Sequence, residues 1–379
     1  MSNNKDFIIK NALEVGKDTK TTLGTITSSD VDLSTGNYFA ETLAADTTYT
    51  FSNAGDVQAF QLEVTGGAIG YDVSSASYDI KSYDVTAQDT DPRSLAFSSD
   101  GTKMYVSGSQ NNRVYEYDLS TAWDVSTTSY SNVFLSYSAQ ATSGYGLAFK
   151  TDGTEMYVMC QSTGSPVVQY TLSTAWDLST ASYSGNSFNT SLGAPSGVFF
   201  KSDGTKMYTI DYVADDVRQY SLSTAWDVST ASYDSVNFSV ASQDTTPFDL
   251  TFSSDGTKMF VAGITTNEAV YQYSLSTAWD LSTASYDSVL FDVSSQDTNP
   301  EGVFFKSDGT KMYVLTGTLD VVYQYTTTTD TTLTWPSSVE WTAGVAPSAP
   351  GNGETDVYTF VTDDGGTSYV GLQSADNLS

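Results

Sequence analysis

The 379-residue chain carries 45 acidic against 15 basic residues, a formal charge of −30, and is 39% hydrophobic with 26 Tyr, 18 Phe and 6 Trp. That apolar content excludes an intrinsically disordered chain, and the negative field excludes nucleic acid and anionic membrane as partners of the body. With no histidine the usual general base and most transition-metal sites are missing, and a single cysteine, Cys160, excludes a disulfide framework and reads as a buried structural thiol.

The chain opens with an arm, residues 1–28, in which Lys5, Lys10, Lys17 and Lys20 offset Asp6, Glu14 and Asp18. A near-neutral arm on an acidic body reads as a docking element for a neighbouring protein, with a plain solvated tail as the other reading. No apolar run reaches membrane-spanning length, and Met1 to Lys20 lacks the apolar core of a secretion signal. The expectation is synthesis in a cytoplasm, no membrane insertion and no export by the usual route. Residues 29–69 then read as strands and turns, with Thr48–Ser52 and Gln58–Val64 as the clearest strands.

From residue 70 the sequence repeats. Asp-Gly-Thr-(Lys/Glu)-Met recurs with its Asp at 100, 152, 203, 255 and 308, and Leu-Ser-Thr-Ala-Trp-Asp recurs with its Trp at 123, 176, 226 and 279. In the first unit, Ser94–Ser98 and Lys103–Ser107 flank an Asp-Gly hairpin, and Arg113–Leu119 and Tyr130–Tyr137 supply two further strands. Four antiparallel strands per unit of about 50 residues is the signature of a β-propeller blade. The fifth unit reads Thr-Thr-Thr-Thr-Asp after Tyr325, where the Trp-containing string is due. Its missing fourth strand lies upstream, because Tyr71-Asp72-Val73-Ser74-Ser75-Ala76-Ser77-Tyr78 aligns with Trp279-Asp280-Leu281-Ser282-Thr283-Ala284-Ser285-Tyr286. The expected fold is therefore all-β: a five-bladed propeller over 70–326, closed by a strand near Tyr78–Val85 and leaving no edge for aggregation.

Closure brings residue 70 beside residue 326, so the flanking stretches are expected to meet. Residues 29–69 plus 327–379 then form one small, sandwich-like β domain into which the propeller is inserted. Within it, Asp32-Leu33-Ser34-Thr35-Gly36-Asn37 and Thr48-Tyr49-Thr50-Phe51-Ser52-Asn53 resemble bacteriophage tail-fibre and other virion proteins. So do Thr334-Trp335-Pro336-Ser337-Ser338-Val339-Glu340-Trp341 and Gly353-Glu354-Thr355-Asp356-Val357-Tyr358-Thr359-Phe360. The opening Asn4-Lys5-Asp6-Phe7 and Lys10-Asn11-Ala12-Leu13-Glu14-Val15-Gly16 is similar to structural proteins of marine, T4-like cyanophages. The resemblance implies a protein on the exterior of a phage particle, made in the host cytoplasm and held to other virion proteins through arm and base. Fibre proteins are commonly trimeric, which makes a trimer one expectation, although no heptad requires it.

The turns divide into two faces. Asp-Gly-Thr and the Trp-Asp turn share one nearly uniform face. The opposite turns, 108–112, 161–165, 211–216, 263–268 and 317–320, all differ. Seven residues before each hairpin Asp stand Arg93, Tyr145, Ser196, Phe248 and Glu301, the ligand-binding candidates of this variable face. Its divergence reads either as fitting to an asymmetric target or as drift in unconstrained loops. The four repeat tryptophans read as packing anchors, with a sugar platform as the competing reading. Asp124, Asp177, Asp227 and Asp280 read as turn caps. Asp89, Asp244 and Asp297 are the one weak indication of a cofactor, a Ca²⁺ near the pore, which two blades would leave incomplete.

Three functions follow. A fibre or adhesin would present the variable face to host surface polysaccharide. A capsid, neck or tail decoration protein would have no receptor role. A carboxylate-dependent glycosidase is the third, but no catalytic constellation stands out, and the sequence is read as non-enzymatic.

Overall fold

The Asp-Gly-Thr segments make the hairpins their chemistry favours. Gly101 takes a φ of 72°, and the Asp100 carboxylate accepts from the Thr102 backbone N–H at 3.0 Å and its hydroxyl at 2.8 Å. The computed structural model, which describes residues 22–378, places such a hairpin at the start of five four-stranded antiparallel sheets. The first comprises Pro92–Phe97, Lys103–Gly108, Arg113–Leu119 and Thr128–Ser136. The next three repeat that order. The fifth consists of Pro300–Phe305, Lys311–Thr316, Val321–Thr326 and, from far upstream, Ser77–Asp84. In the last pairing Val321 lies opposite Asp84 and Thr326 opposite Ser77.

Neighbouring sheets are joined by one device repeated. Each of the four repeat tryptophans has a positive φ, 65° to 67°, and its N–H donates to the carbonyl of the hairpin glycine, as Trp176 does to Gly153 at 3.0 Å. The indole lies so close over that glycine that a Cβ on Gly101 would sit 2.2 Å from the Trp123 ring. The Trp carbonyl, turned outward by this backbone, accepts a tyrosine hydroxyl from the preceding sheet. Tyr157 reaches Trp226 at 2.7 Å, Tyr208 reaches Trp279 at 2.6 Å, and Tyr313 of the fifth sheet reaches Trp123 of the first at 2.7 Å. A second contact runs parallel. The side chain of Glu116, Gln169, Gln219, Gln272 or Gln324 accepts the first backbone N–H of the next short 3₁₀ turn. In each of these turns the Asp caps the backbone two residues on, Asp124 to Ser126 at 3.1 Å. The Trp and Asp positions are thus occupied by packing and capping.

Tyr71 stands in the fifth sheet where the others have Trp, with φ 61° and its N–H on Gly309 at 2.8 Å. Opposite it the tyrosine becomes Phe260, with the rings 6.1 Å apart. The first strand of each sheet also lies against the first strand of the next, and Pro300–Phe305 lies against Pro92–Phe97. Apolar clusters fill these seams, for example Tyr105 and Val114 with Met156 and Val158. Each such buried side chain contributes about 1.5–3 kcal/mol. Cys160 belongs to this core, and burial pushes its thiol up to about 12.

By its contacts the chain falls into two units, and the repeat unit is Gly70–Thr329, three residues longer than the sequence suggests. The smaller unit has a five-stranded sheet in the order Tyr38–Thr42, Gln58–Thr65, Thr355–Thr362, Tyr369–Leu378, Val339–Trp341. Gln58–Thr65 pairs antiparallel with Thr355–Thr362, so segments from both sides of the repeat share one sheet. Its core includes Phe39, Phe60, Trp335, Tyr358 and Phe360, with Phe60 and Phe360 stacked at 4.9 Å. The expected docking arm lies outside the described residues up to residue 21. Its last part does not behave as an arm: Gly24 donates to the Tyr38 carbonyl at 2.8 Å, and Ile26–Thr27 pairs with Asp30–Asp32.

Candidate functional site

Arg93, Tyr145, Ser196, Phe248 and Glu301 are each the second residue of their sheet's first strand, and each is the unpaired residue of a β-bulge. The ladder steps from Pro92 to Ser94, Gly144 to Gly146, Pro195 to Gly197, Pro247 to Asp249 and Pro300 to Gly302. A bulge re-aims the side chain it carries. Arg93, Tyr145, Phe248 and Glu301 meet as a result. Arg93 donates to Glu301 at 2.8 Å and also binds Asp91, and its guanidinium lies 4.6 Å over the Tyr145 ring and 5.8 Å from that of Phe248. Tyr212, which the sequence reading missed, completes the group by stacking on Phe248 at 5.2 Å with an interplanar angle of 3°.

Glu301 also accepts from Asn299 at 2.7 Å. Burial pushes its carboxyl up to about 7 despite the Arg93 charge beside it. Ser196 donates to the Pro247 carbonyl at 3.2 Å, away from the arginine. Three of the five candidates are closed to a ligand, with Ser196 at 1%, Phe248 at 8% and Glu301 at 3% exposure. Arg93 and Tyr145 remain partly accessible, as does Tyr212.

The three aspartates considered for Ca²⁺ do not converge. Asp89 accepts from Asn111, Asp244 from the Thr265 and Thr266 backbone at 3.1 and 3.0 Å, and Asp297 from Leu319 at 2.9 Å. Each carboxylate holds the turn of its own sheet, which is why the sequence keeps it there. Among the described residues no group of three or more Asp, Glu, His or Cys side chains could hold a metal ion.

The repeat unit also has a partly open cavity of about 340 Å³ whose wall includes the four repeat tryptophans and Tyr71. Exposed hairpin residues Ser99, Thr151, Ser202, Ser254 and Ser307 are among its lining. The one charged side chain in its lining is Asp249, which is 4% exposed. Its carboxylate accepts from Leu250 N–H at 2.9 Å, Val303 N–H at 3.2 Å and the Ser94 hydroxyl at 3.2 Å. Burial pushes it up to about 8. The equivalent positions are Ser94, Gly146, Gly197 and Gly302, so a carboxyl among them was the signal that could have found this site.

No family model matches the chain, and no curated protein matches it. Among solved structures it is similar to a functionally unknown protein from Desulfotomaculum acetoxidans, at 13% identity and TM-score 0.40, over 83% of this chain and 97% of that one. A candidate 6-phosphogluconolactonase from Bacteroides uniformis matches at 12% identity and TM-score 0.40, over 61% of this chain and 65% of its own length. The β-propeller domain of Cps50 (Swd1) from Myceliophteria thermophila matches at 9% identity and TM-score 0.39, over 62% and 83%. At these values the similarities assign no activity.

Proposed function

We propose that the five sheets are the blades of a closed five-bladed propeller, and that the protein is a non-catalytic phage fibre or adhesin that presents one propeller face to host surface glycans. Closure is supported by the fifth-to-first contacts of Tyr313 with Trp123 and Gln324 with Val125. The recognition reading rests on one observation. Five equivalent bulged positions carry five different side chains, and four of them assemble into a single asymmetric cluster around Arg93. At four of the five equivalent turns on the other face, by contrast, the same Trp-Asp residues recur with the same bonds. A fold that needed only mass and shape has no use for such a break in its own symmetry. The half-buried Tyr145 and Tyr212 rings offer apolar faces beside hydrogen-bonding groups, which suits sugars. The virion assignment comes from the resemblance of the flanking segments.

The test is binding of the full chain to cyanobacterial cells, the host class that the resemblance implies, and to their surface polysaccharide. Saturable binding that Tyr145→Ala removes, with an unchanged melting temperature, is the expected result. Absence of binding by the native chain, or binding indifferent to Tyr145→Ala and Tyr212→Ala, would reject recognition through this face and favour decoration.

A further inference from the structure

The Asp249 carboxyl is a local exception that the fold does not require. The other four sheets manage with Ser or Gly at its position. Both of its oxygens accept hydrogen bonds, from two N–H groups and one hydroxyl, an arrangement that suits the ionised acid, which can only accept. Yet no ion pair among the described residues involves it, and no basic side chain lines the cavity. An acid buried this way keeps its proton up to about pH 8, and a cation placed beside it would favour the ionised form. Apart from the serines and threonines near its rim the wall is largely apolar and aromatic, with Trp123, Trp176, Trp226, Trp279 and Tyr71 in it. Aromatic walls around a buried negative charge form a cage for a cation that carries its own apolar body. The protein's formal charge of −30 draws cations towards any opening.

We propose that this cavity is a binding site for a small organic ammonium compound, with its apolar portion among the aromatic side chains and its charged nitrogen against Asp249. The lining includes none of Arg93, Tyr145, Phe248 and Glu301, although Asp249 and Ser94 directly follow Phe248 and Arg93, and the proposal does not depend on the glycan reading. It adds a small-molecule ligand to a surface-recognition module. The cavity owes part of its room to Ala96 and Ala148, where the corresponding residues of the third and fifth sheets are Phe199 and Phe304.

Calorimetric titration of the full chain with phenethylammonium and, separately, with 2-phenylethanol tests the proposal. The two probes share a body and differ in the charge. The expected result is saturable binding of the ammonium at one site, with the alcohol weaker by roughly tenfold or more. Asp249→Asn should erase that preference, and Ala148→Phe, which leaves the carboxyl in place, should block both probes by filling the space. Equal affinity for the two probes, no binding of the ammonium, or a preference that survives Asp249→Asn would each overturn it. The comparison of probes on the native chain needs no variant to fold.

Discussion

The ammonium of Lys258 donates to the backbone carbonyl of Tyr71 at 3.0 Å, across 187 positions of sequence. In the other four seams that turn carbonyl belongs to a tryptophan and takes a tyrosine hydroxyl. Here the hydroxyl is missing because the tyrosine position is Phe260, and the lysine occupies its place as donor. Two residues have changed together, Trp to Tyr71 and Tyr to Phe260, while Lys258 is the repeat lysine found also as Lys103, Lys206 and Lys311 and has taken a different acceptor. Lys258→Ala should therefore cost about 1.5–3 kcal/mol, the range for a hydrogen bond from a charged group. Phe260→Tyr should recover much of the loss in the Lys258→Ala background while doing little alone. Urea unfolding of the four proteins measures the coupling, and strictly additive changes would show that the two donors do not share one acceptor.

A second prediction concerns pH. Burial holds Asp249 at about 8 and Glu301 at about 7, both far above an unfolded carboxyl. Between the unfolded and folded values the native protein binds more protons than the unfolded chain, so stability falls as pH rises. The melting temperature should decline from about pH 5 to about pH 8. Asp249→Asn should flatten this decline and raise the midpoint most at the alkaline end. A melting temperature that climbs with pH across this window would contradict the burial of both acids.

The third prediction is a gain of stability. Ile80 sits at φ 60° with 86% exposure, while the corresponding bulge positions are Asn132, Gly185, Ser235 and Ser288. A β-branched side chain in the left-handed region is strained, and this one gains nothing from burial. Ile80→Asn or Ile80→Gly should stabilise by about 1 kcal/mol, read as a rise of about 2–4 °C in the melting temperature. A drop would mean that the isoleucine holds a contact worth more than its strain.

Much of this architecture was legible because each repeat carries its own turn chemistry. Asp-Gly marks the hairpins, and the alignment of Tyr71 with Trp279 locates the strand that completes the fifth sheet. The variable residues could be picked by spacing, but their burial could not. One bulge turns Glu301 under Arg93, and a bulge leaves no mark in composition. Tyr212 was missed because it reaches Phe248 from a neighbouring turn. The aspartates of the Gln-Asp-Thr links misled, since a carboxylate that caps a turn and one that binds calcium look alike until their hydrogen bonds are counted. Asp249 was hidden for a plainer reason: one acidic residue in an acidic chain attracts no notice until its strand is known to be buried.

The pairing of Ser77–Asp84 with Val321–Thr326 also governs the order in which the molecule can be finished. On the ribosome the strand that completes the last sheet is made before any of the others, and its partner emerges only after the intervening sheets have been translated. Throughout that interval the nascent strand has no ladder to join, and every sheet formed in the meantime waits on a contact of very long sequence separation. Such contacts are slow to close. Chains arrested before residue 326 would keep an open edge, a template on which other chains could pair.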